Sequence, residues 1–462
     1  MTGSKSKEVL SSAALEGYKI KEWSIKMGFV VVAVFLIYAQ MLNADFVWDD
    51  NNLVVKNTYI TDFSHVKQIF KNDLAAGAGL KYYFYRPLQN VSYAIEHAVF
   101  GLNPWGYHLV NILLHLAAAW AVFRLVLHLT NEGWFALFTA TIFALHPVHS
   151  SVVCYIASRA DLLCGLWMLW SFYWYIQSVE LNDRRKLGFS VFFYVLALLS
   201  KEYALILPVF LCLFNSYRKI SIQLRWWGVF IAVSLVYVVF RIAVVPDILS
   251  PFNYVVPLAL KIPGAFAALA EYARLLIFPS RLHMAYGNFL FSFSDLLVWK
   301  GIFLFIVLGG AMVVLRRSLL GFACGWFLLG LIPVILFPVN AFMAESWLYV
   351  PSVGYVLVLA WLVRFLLTHL KLRIFGCLMA VIVILGYAQM TWQQTRYWQD
   401  DLVFFSWTAK HASHSGKVFY NLGNAYLRSG DRAQAVRSYQ KALALNPDII
   451  EARAALEKLS KP

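Results

Sequence analysis

Two adjacent carboxylates, Asp49 and Asp50, follow the first long apolar run of a chain in which only 24 of 462 residues are acidic. They lie in the segment FVWDDNNLVVKN at 46–57, upstream of an aromatic and cationic cluster, KYYFYRPLQN, at 81–90. A carboxylate close to a cation at a membrane surface is what would be needed to deprotonate an acceptor beside a lipid-linked phosphate. The alternative is a solvated loop after a helix, with Trp48 as an interfacial anchor.

A second group of polar residues recurs at helical spacing in YHLVNILLHL at 107–116. His108, Asn111 and His115 are three and four residues apart, so they share one face of a helix. A polar face inside a membrane is costly and turns toward the protein interior or a wet cavity. It could contact a phosphate or sugar held between helices, or it could only form hydrogen bonds between helices.

The run HPVHSSVVCYIASRAD at 146–161 contributes His146, His149, Arg159 and Asp161. Two histidines three residues apart could ligate a metal ion, but a metal site needs a third or fourth protein ligand that this spacing does not show. Because Arg159 and Asp161 end the run together, where the next apolar segment begins, we expect them to pair with each other.

Three further ionisable residues complete the candidates. Lys201 and Glu202 lie in LLSKEYALILP, and Glu345 lies in NAFMAESWLYVPSVG. Each by itself is typical of an interfacial ion pair. Together with the residues above, they would form a site that is rich in both cations and carboxylates.

The composition indicates which elements must position these residues. The chain is 61% hydrophobic and 14% charged, well below the charged fraction of roughly a quarter in soluble proteins, and so predicts an all-α polytopic membrane protein. Much of the net charge of +15 lies in short clusters between apolar runs, as in positive-inside loops, so nucleic-acid binding is not expected. The five cysteines have no metal-type spacing and are expected to be buried thiols.

Apolar runs long enough to cross a bilayer need about 20 residues. Eleven segments approach this template: 26–42, 107–129, 134–146, 160–179, 187–199, 202–217, 225–244, 300–316, 318–337, 348–369 and 373–391. Basic clusters fall in every second connection if the segment 263–280 lies on or dips into the outer leaflet instead of crossing it. The odd number of spans then places the C-terminal domain outside the cytoplasm.

On this topology the unusual polar residues gather on the outer face. The segments predicted there are 43–106, which is the first extracytoplasmic loop, 146–161, 246–299 and 338–346. The N-terminal segment 1–25 is expected to be cytoplasmic and is too polar for a cleaved signal peptide, so the first helix is expected to be retained. The membrane domain then covers 26–396.

The tail changes character at about residue 397, where the apolar runs stop. Within 416–449, eight positions match the 34-residue tetratricopeptide pattern: Phe419, Leu422, Gly423, Tyr426, Ala435, Tyr439, Ala442 and Pro447. We expect a helical hairpin within an extracytoplasmic domain, 397–462, that is capped by 398–415 and 450–460 because one repeat cannot bury its own face. It would be a packing or dimerisation module, or a cradle for an acceptor polypeptide.

Nucleotide-binding motifs are missing from the sequence. There is no GxGxxG or Walker-type loop, and no predicted cytoplasmic domain is large enough to bind a nucleotide sugar. A transferase with this topology would need an activated donor that is delivered within the membrane.

In this order, these motifs closely resemble the TMTC-type protein O-mannosyltransferases and their prokaryotic relatives. The resemblance is carried by FVWDDNNLVVKN, YYFYRPLQNVSYAIEHAVFGLNPWGYHLVNILLHL, LHPVHSSVVCYIASRADLL, LLSKEYALILP, ESWLYVPSVGY and the tetratricopeptide unit. It implies a GT-C glycosyltransferase, whose catalytic domain would be 26–396. Such an enzyme would move mannose or another hexose from a polyprenyl-phosphate donor to an acceptor hydroxyl on the extracytoplasmic side.

The resemblance also implies roles for the candidate residues. Asp49, with Asp50 as second candidate, would be the general base, and the acceptor oxygen would invert the anomeric carbon. Cations would stabilise the charge on the departing phosphate. The implied donor and substrate residues are Arg86, His108, His115, His146, His149, Arg159, Asp161, Lys201, Glu202 and Glu345. No metal ligands are assigned, although a divalent cation could serve the same purpose.

The chain departs from the animal members in two places. Those members usually carry Glu-Arg before an LYxP motif and a long tetratricopeptide array, whereas here Ser346 and Trp347 follow Glu345 and one clear repeat is present. The acceptor is expected to be a protein, with a glycolipid or cell-wall glycan as the alternative. A non-catalytic lipid flippase or tetratricopeptide scaffold is a second alternative, and it predicts that the aspartate pair is dispensable.

Overall fold

The structure, a computed structural model, describes residues 22–460 except 24, 222, 247–257, 288, 289 and 334–341. These residues form helices and connecting segments and contain no strand. The membrane-domain helices are α1 (Ile25–Asn43), α2 (Val66–Lys71), α3 (Pro87–Phe100), α4 (Pro104–Thr130), α5 (Gly133–Leu145), α6 (Ser150–Val153), α7 (Arg159–Leu181), α8 (Arg184–Ser200), α9 (Leu207–Arg218), α10 (Leu224–Val244), α11 (Leu258–Ile277), α12 (Leu296–Val314), α13 (Leu319–Gly330), α14 (Ser352–Thr368) and α15 (Arg373–Thr395).

Each predicted span is helical over most of its described length, and the all-helical prediction is confirmed. The span at 202–217 begins as a short 3-10 helix, Glu202–Ile206, and the end of the span at 318–337 lies outside the described residues. In the described part of the chain, five helices are long and apolar enough to cross a membrane: α1, α4, α10, α12 and α15 with its continuation to Trp398. A bent pair, α5 with Pro147–Val153, would be a sixth. The chain is a multi-pass membrane protein, and the number eleven stays a prediction.

Helix α11 contains most of the segment that was predicted to lie on or dip into the outer leaflet. Pro263 lies inside this helix, which packs along α12. Gly301 of α12 permits the close approach, because a Cβ at this position would overlap the main chain of Phe266. The depth of α11 in the membrane stays a prediction.

The C-terminal residues form four helices: α16 (Asp401–His411), α17 (Gly416–Arg428), α18 (Arg432–Leu445) and α19 (Ile450–Ser460). Helices α17 and α18 form a hairpin in which Gly423 leaves room for the ring of Tyr439. The Tyr439 hydroxyl donates to Asn424 Oδ1 at 2.7 Å. Helix α16 packs against one side of the hairpin and α19 against the other.

Hydrogen bonds attach this C-terminal unit to the membrane domain. The main-chain N–H of Trp48 donates to Asp401 Oδ1 at 2.8 Å. The N–H of Asp45 donates to the Gln399 carbonyl, also at 2.8 Å. These contacts place the beginning of α16 directly against the segment that carries Asp49 and Asp50.

Candidate functional site

The two aspartates lie just before a single π-helical turn, Asn51–Val55, a feature that recurs at functional sites. Asp49 Oδ1 accepts a hydrogen bond from the hydroxyl of Tyr82 at 2.8 Å, and Oδ2 accepts one from the hydroxyl of Tyr155 at 3.0 Å. Tyr82 belongs to KYYFYRPLQN and Tyr155 to the run 146–161. The structure therefore brings together three of the segments that the sequence singles out.

Asp50 has different partners from its neighbour. Its side chain is fully buried, and its two oxygens accept from main-chain N–H groups, that of Ala157 at 2.7 Å and that of Val47 at 3.0 Å. Asp50 thus ties the 46–57 segment to the 155–158 segment, whereas Asp49 remains partly exposed. Of the two carboxylates, only Asp49 can be reached from the solvent.

Both carboxylates are held in surroundings that change their acidity. Burial raises the pKa of Asp49, and the hydrogen bonds from Tyr82 and Tyr155 oppose part of that increase. Burial also raises the pKa of Asp50, against the two main-chain hydrogen bonds, and the nearby charge of Asp49 adds to the increase. A raised pKa makes a carboxylate a stronger base once it is ionised.

A cavity of about 570 Å³ opens beside Asp49, between the membrane domain and the C-terminal unit. It is lined by Trp48, Asp49, Asn51, Asn52, Lys56, Asp401, Phe405, Tyr420, Asn421, Asn424 and Arg428. Asp49 therefore faces a space that is large enough for a ligand, since ligand pockets occupy about 300–1,000 Å³. Asp50 does not line it.

Four of the predicted donor residues form one cluster of charges. Arg86 pairs with Glu202 at 3.0 Å, and Lys201 pairs with Asp161 at 2.6 Å. All four side chains are between 12% and 16% exposed, so they are largely shielded from water. A short stretch of chain connects this cluster to Asp49, because Tyr82 is hydrogen-bonded to Asp49 and Arg86 belongs to the cluster. Tyr82 and Arg86 are four residues apart, so their Cα atoms can be separated by at most about 14 Å.

One further cation beside this cluster, Arg241, was not among the residues predicted from the sequence. Arg241 Nη2 donates to the Tyr83 carbonyl at 3.4 Å, while its buried Nε has no hydrogen-bond partner among the described residues. Its position near the end of the apolar run 225–244 could have identified it as a candidate, since an ionisable residue inside a span is costly and commonly functional.

Arg159 does not pair with Asp161, so that prediction is wrong. Its guanidinium is fully buried, forms an ion pair with Glu96 of α3 and donates from Nε to Asn111 Oδ1 of α4 at 2.5 Å. Two residues on a helix correspond to a rotation of about 200° around its axis, so the side chains of Arg159 and Asp161 point to nearly opposite sides. Asp161 faces Lys201 instead. Arg159 thus joins α3, α4 and α7 rather than entering the charge cluster.

The predicted histidines lie in the protein interior. His115 Nδ1 lies 2.9 Å from the Tyr349 hydroxyl and Nε2 lies 3.0 Å from the Ala144 carbonyl. His146 and His149 likewise use both ring nitrogens within the protein. Of the two interpretations left open for the polar face of α4, the structure favours hydrogen bonding between helices for Asn111 and His115.

His108 is buried at the start of α4, close to the main chain of Asp45. Across the ranges that the structure describes, no group of three or more His, Cys, Asp or Glu side chains has an arrangement that could hold a metal ion.

Glu345 has its hydrogen-bond partners outside the charge cluster. It is buried and accepts hydrogen bonds from the N–H of His283 at 2.6 Å and from the Tyr286 hydroxyl at 2.5 Å. Burial raises the pKa of Glu345 to about 8. The first part of its predicted outer segment, 338–341, lies outside the described residues.

Two solved structures align with the chain. The oligosaccharyltransferase of Archaeoglobus fulgidus, tethered with an acceptor peptide, aligns with a TM-score of 0.47 and 14% identity over 86% of this chain and 59% of that chain. ArnT from Cupriavidus metallidurans, bound to undecaprenyl phosphate, aligns with a TM-score of 0.40 and 15% identity over 92% of this chain and 76% of that chain.

Residues 416–449 match the family model of the tetratricopeptide repeat, which confirms that prediction. The chain is 24% identical to a protein O-mannosyl-transferase of Caenorhabditis elegans over 90% of this chain and 62% of that protein. It is 37% identical to mouse protein O-mannosyl-transferase TMTC2 over 30% of this chain and 17% of that protein. The chain thus spans less than two thirds of the length of these relatives. These matches confirm the resemblance to the TMTC-type protein O-mannosyltransferases.

Proposed function

We propose that this chain is an inverting glycosyltransferase that moves mannose or another hexose from a polyprenyl-phosphate donor to a protein hydroxyl, on the extracytoplasmic side of the membrane. The observation that carries the proposal is the setting of Asp49. Its partly exposed carboxylate is fixed by two phenols, lines a cavity and is linked by a short segment to the shielded charge cluster. The names of the relatives support the sugar and the class of acceptor.

Asp49 is the general base in this proposal. Its carboxylate takes the proton from the acceptor hydroxyl as the acceptor oxygen attacks the anomeric carbon. The bond from that carbon to the phosphate oxygen breaks on the opposite face, which inverts the configuration and releases polyprenyl phosphate. Tyr82 and Tyr155 hold the carboxylate in one orientation, which lowers the entropic part of the activation free energy.

Asp50 is a positioning residue. It acts through the main chain, because its two hydrogen bonds fix the turn that presents Asp49. Removing it would loosen the site without removing the base.

The charge cluster is the proposed site for the donor phosphate. Arg86, Lys201 and Arg241 bring more positive charge than Asp161 and Glu202 neutralise. Negative charge grows on the leaving phosphate as its bond to the sugar breaks, and cations in a water-poor site stabilise that charge strongly. Arg241 has a buried N–H that no described residue uses.

The proposal is tested with the purified full-length chain, polyprenyl-phosphate mannose and a threonine-containing peptide. We expect an inverted glycosidic bond by NMR, and a kcat that falls by about 10²–10⁴ in Asp49→Asn. Asp62→Asn is the matched control, because Asp62 is an exposed carboxylate of the predicted first loop, 43–106, whose capping role asparagine can also fill. Equal turnover by Asp49→Asn and the wild type would refute the assignment of the base. Transport of the lipid without transfer of sugar would indicate a flippase.

A second experiment tests the phosphate site. Arg241→Leu should raise KM for the donor more than it raises KM for the peptide. Arg225→Leu is the control, since Arg225 is an exposed arginine near the other end of α10. An unchanged donor KM in Arg241→Leu would exclude Arg241 from the phosphate site.

A further inference from the structure

The cavity beside Asp49 has two walls from different parts of the chain. One wall is the 46–57 segment and the other is formed by α16 and α17 of the C-terminal unit. The hydrogen bond from the Trp48 N–H to Asp401 sets the separation of the two walls. The reaction proposed above uses Asp49 but gives no role to the wall that the tetratricopeptide helix provides.

Amide side chains are present on both walls. Asn51 and Asn52 lie on the Asp49 side, and Asn421 and Asn424 lie on α17. The latter two are three residues apart, so they project from the same side of the helix. Asn424 accepts from Tyr439 through Oδ1, and the Asn421 side chain makes no hydrogen bond to any other residue that the structure describes. An amide both donates and accepts, which matches the N–H and C=O of a peptide main chain.

The charges that line the cavity are balanced. Lys56 and Arg428 are opposed by Asp49 and Asp401, and Arg428 is already paired with Asp401. Because neither sign is in excess, the lining favours an uncharged ligand over a phosphate or a polyanion.

Three aromatic residues line the cavity: Trp48, Phe405 and Tyr420. The Trp48 ring is stacked against Tyr155, with centroids 5.7 Å apart, and against Phe404, with centroids 6.0 Å apart. Phe405 is buried. Trp48 and Tyr420 are partly exposed, so both rings can contact a bound ligand.

We infer that this cavity binds the acceptor as an extended polypeptide whose main chain is held by Asn421 and Asn424 while a serine or threonine hydroxyl reaches Asp49. This inference rests on the proposed function. Successive side chains of an extended segment point in opposite directions. A main chain held against α17 therefore turns alternate side chains toward the wall that carries Asp49. Recognition through the main chain tolerates many sequences around the hydroxyl.

The test uses the full-length chain, polyprenyl-phosphate mannose and a pool of synthetic heptapeptides with a central threonine and randomised flanks. Asn421→Ala should raise KM for the peptide pool about three- to tenfold, as expected for the loss of one or two hydrogen bonds. Binding of labelled polyprenyl phosphate should not change. Asn421→Trp should block transfer by filling the cavity. Gln440→Ala is the matched control, because Gln440 is an exposed amide of α18 that does not line the cavity.

Three results would overturn the inference. Wild-type KM in both Asn421 variants would exclude the cavity as the acceptor site. Transfer by the wild type to a soluble oligosaccharide, but not to the peptides, would overturn the class of acceptor while the proposed glycosyl transfer would stand. Failure of the wild type both to bind polyprenyl phosphate and to transfer sugar would refute the proposed function itself. Unfolding temperatures of the variants separate loss of binding from loss of folding.

Discussion

Replacing Asp49 and Asp50 separately by asparagine should give opposite effects on activity and stability. Asp49 accepts its hydrogen bonds from two hydroxyl groups, which can rotate to suit an amide. Asp49→Asn should therefore remove the base but leave the stability within about 0.5 kcal/mol of the wild type. Its effect should appear almost entirely in kcat.

Asp50→Asn cannot be accommodated in the same way. Both donors to Asp50 are main-chain N–H groups, at 2.7 and 3.0 Å, and neither can rotate. An asparagine offers one acceptor oxygen, so its NH₂ would face the other N–H and leave a buried donor unsatisfied. Such a group costs about 1–3 kcal/mol. Since the site is fully buried, we expect about 2–3 kcal/mol of destabilisation.

Two measurements on the same detergent-solubilised preparations check this prediction. Thermal unfolding reports the stability, and sugar transfer per folded molecule reports the activity. Asp50→Asn should unfold at a lower temperature and should keep more activity than Asp49→Asn. If Asp50→Asn instead had wild-type stability and lost as much activity as Asp49→Asn, the base would have to be reassigned to Asp50.

Three further predictions concern stability. Arg159→Leu leaves Glu96 buried without its partner and should destabilise the chain by about 3–5 kcal/mol in thermal unfolding, whereas the double variant with Glu96→Leu should recover most of that loss. Burial raises the pKa of Glu345 to about 8 from an ordinary 4.5, so between these pH values the folded chain keeps a proton that the unfolded chain releases. The free energy of unfolding should therefore fall as the pH rises from 4.5 to about 8. Glu345→Gln should flatten this dependence of stability on pH. Gly423→Val should collide with the Tyr439 ring and cost about 1–3 kcal/mol, seen as faster proteolytic release of the C-terminal unit, with Gln440→Ala unaffected.

Long elements and close spacings could be predicted from the sequence. The apolar runs predict helices because a segment crossing a bilayer must satisfy its own main-chain hydrogen bonds. The tetratricopeptide hairpin follows from small residues such as Gly423 at fixed offsets, since these permit two helices to approach. The burial of His115 follows from its place in the polar face of α4, but its partner Tyr349 is 234 residues away and could not be identified.

The pairing of the charges shows the same division. Asp161 and Lys201, both candidates from the sequence, form an ion pair with each other, but the sequence assigns Arg159 to the wrong partner. Side chains two residues apart point to nearly opposite sides of a helix, because each residue turns about 100° around the axis. Arg241 was overlooked because nothing local connects it to KYYFYRPLQN, although it contacts Tyr83 in the fold.

The sequence by itself determined that this is a helical membrane protein with a tetratricopeptide unit and a pair of carboxylates after its first helix, because periodicity and composition are local properties. Which carboxylate meets the cavity was decided only by the tertiary structure. Asp49 and Asp50 are adjacent and chemically identical, but their partners differ. Asp50 is buried and accepts a hydrogen bond from the Ala157 N–H, whereas the hydroxyls of Tyr82 and Tyr155 hold Asp49 at the edge of the cavity. Those partners come from segments 33 and 106 or more residues away, so their contacts arise only when the helices pack.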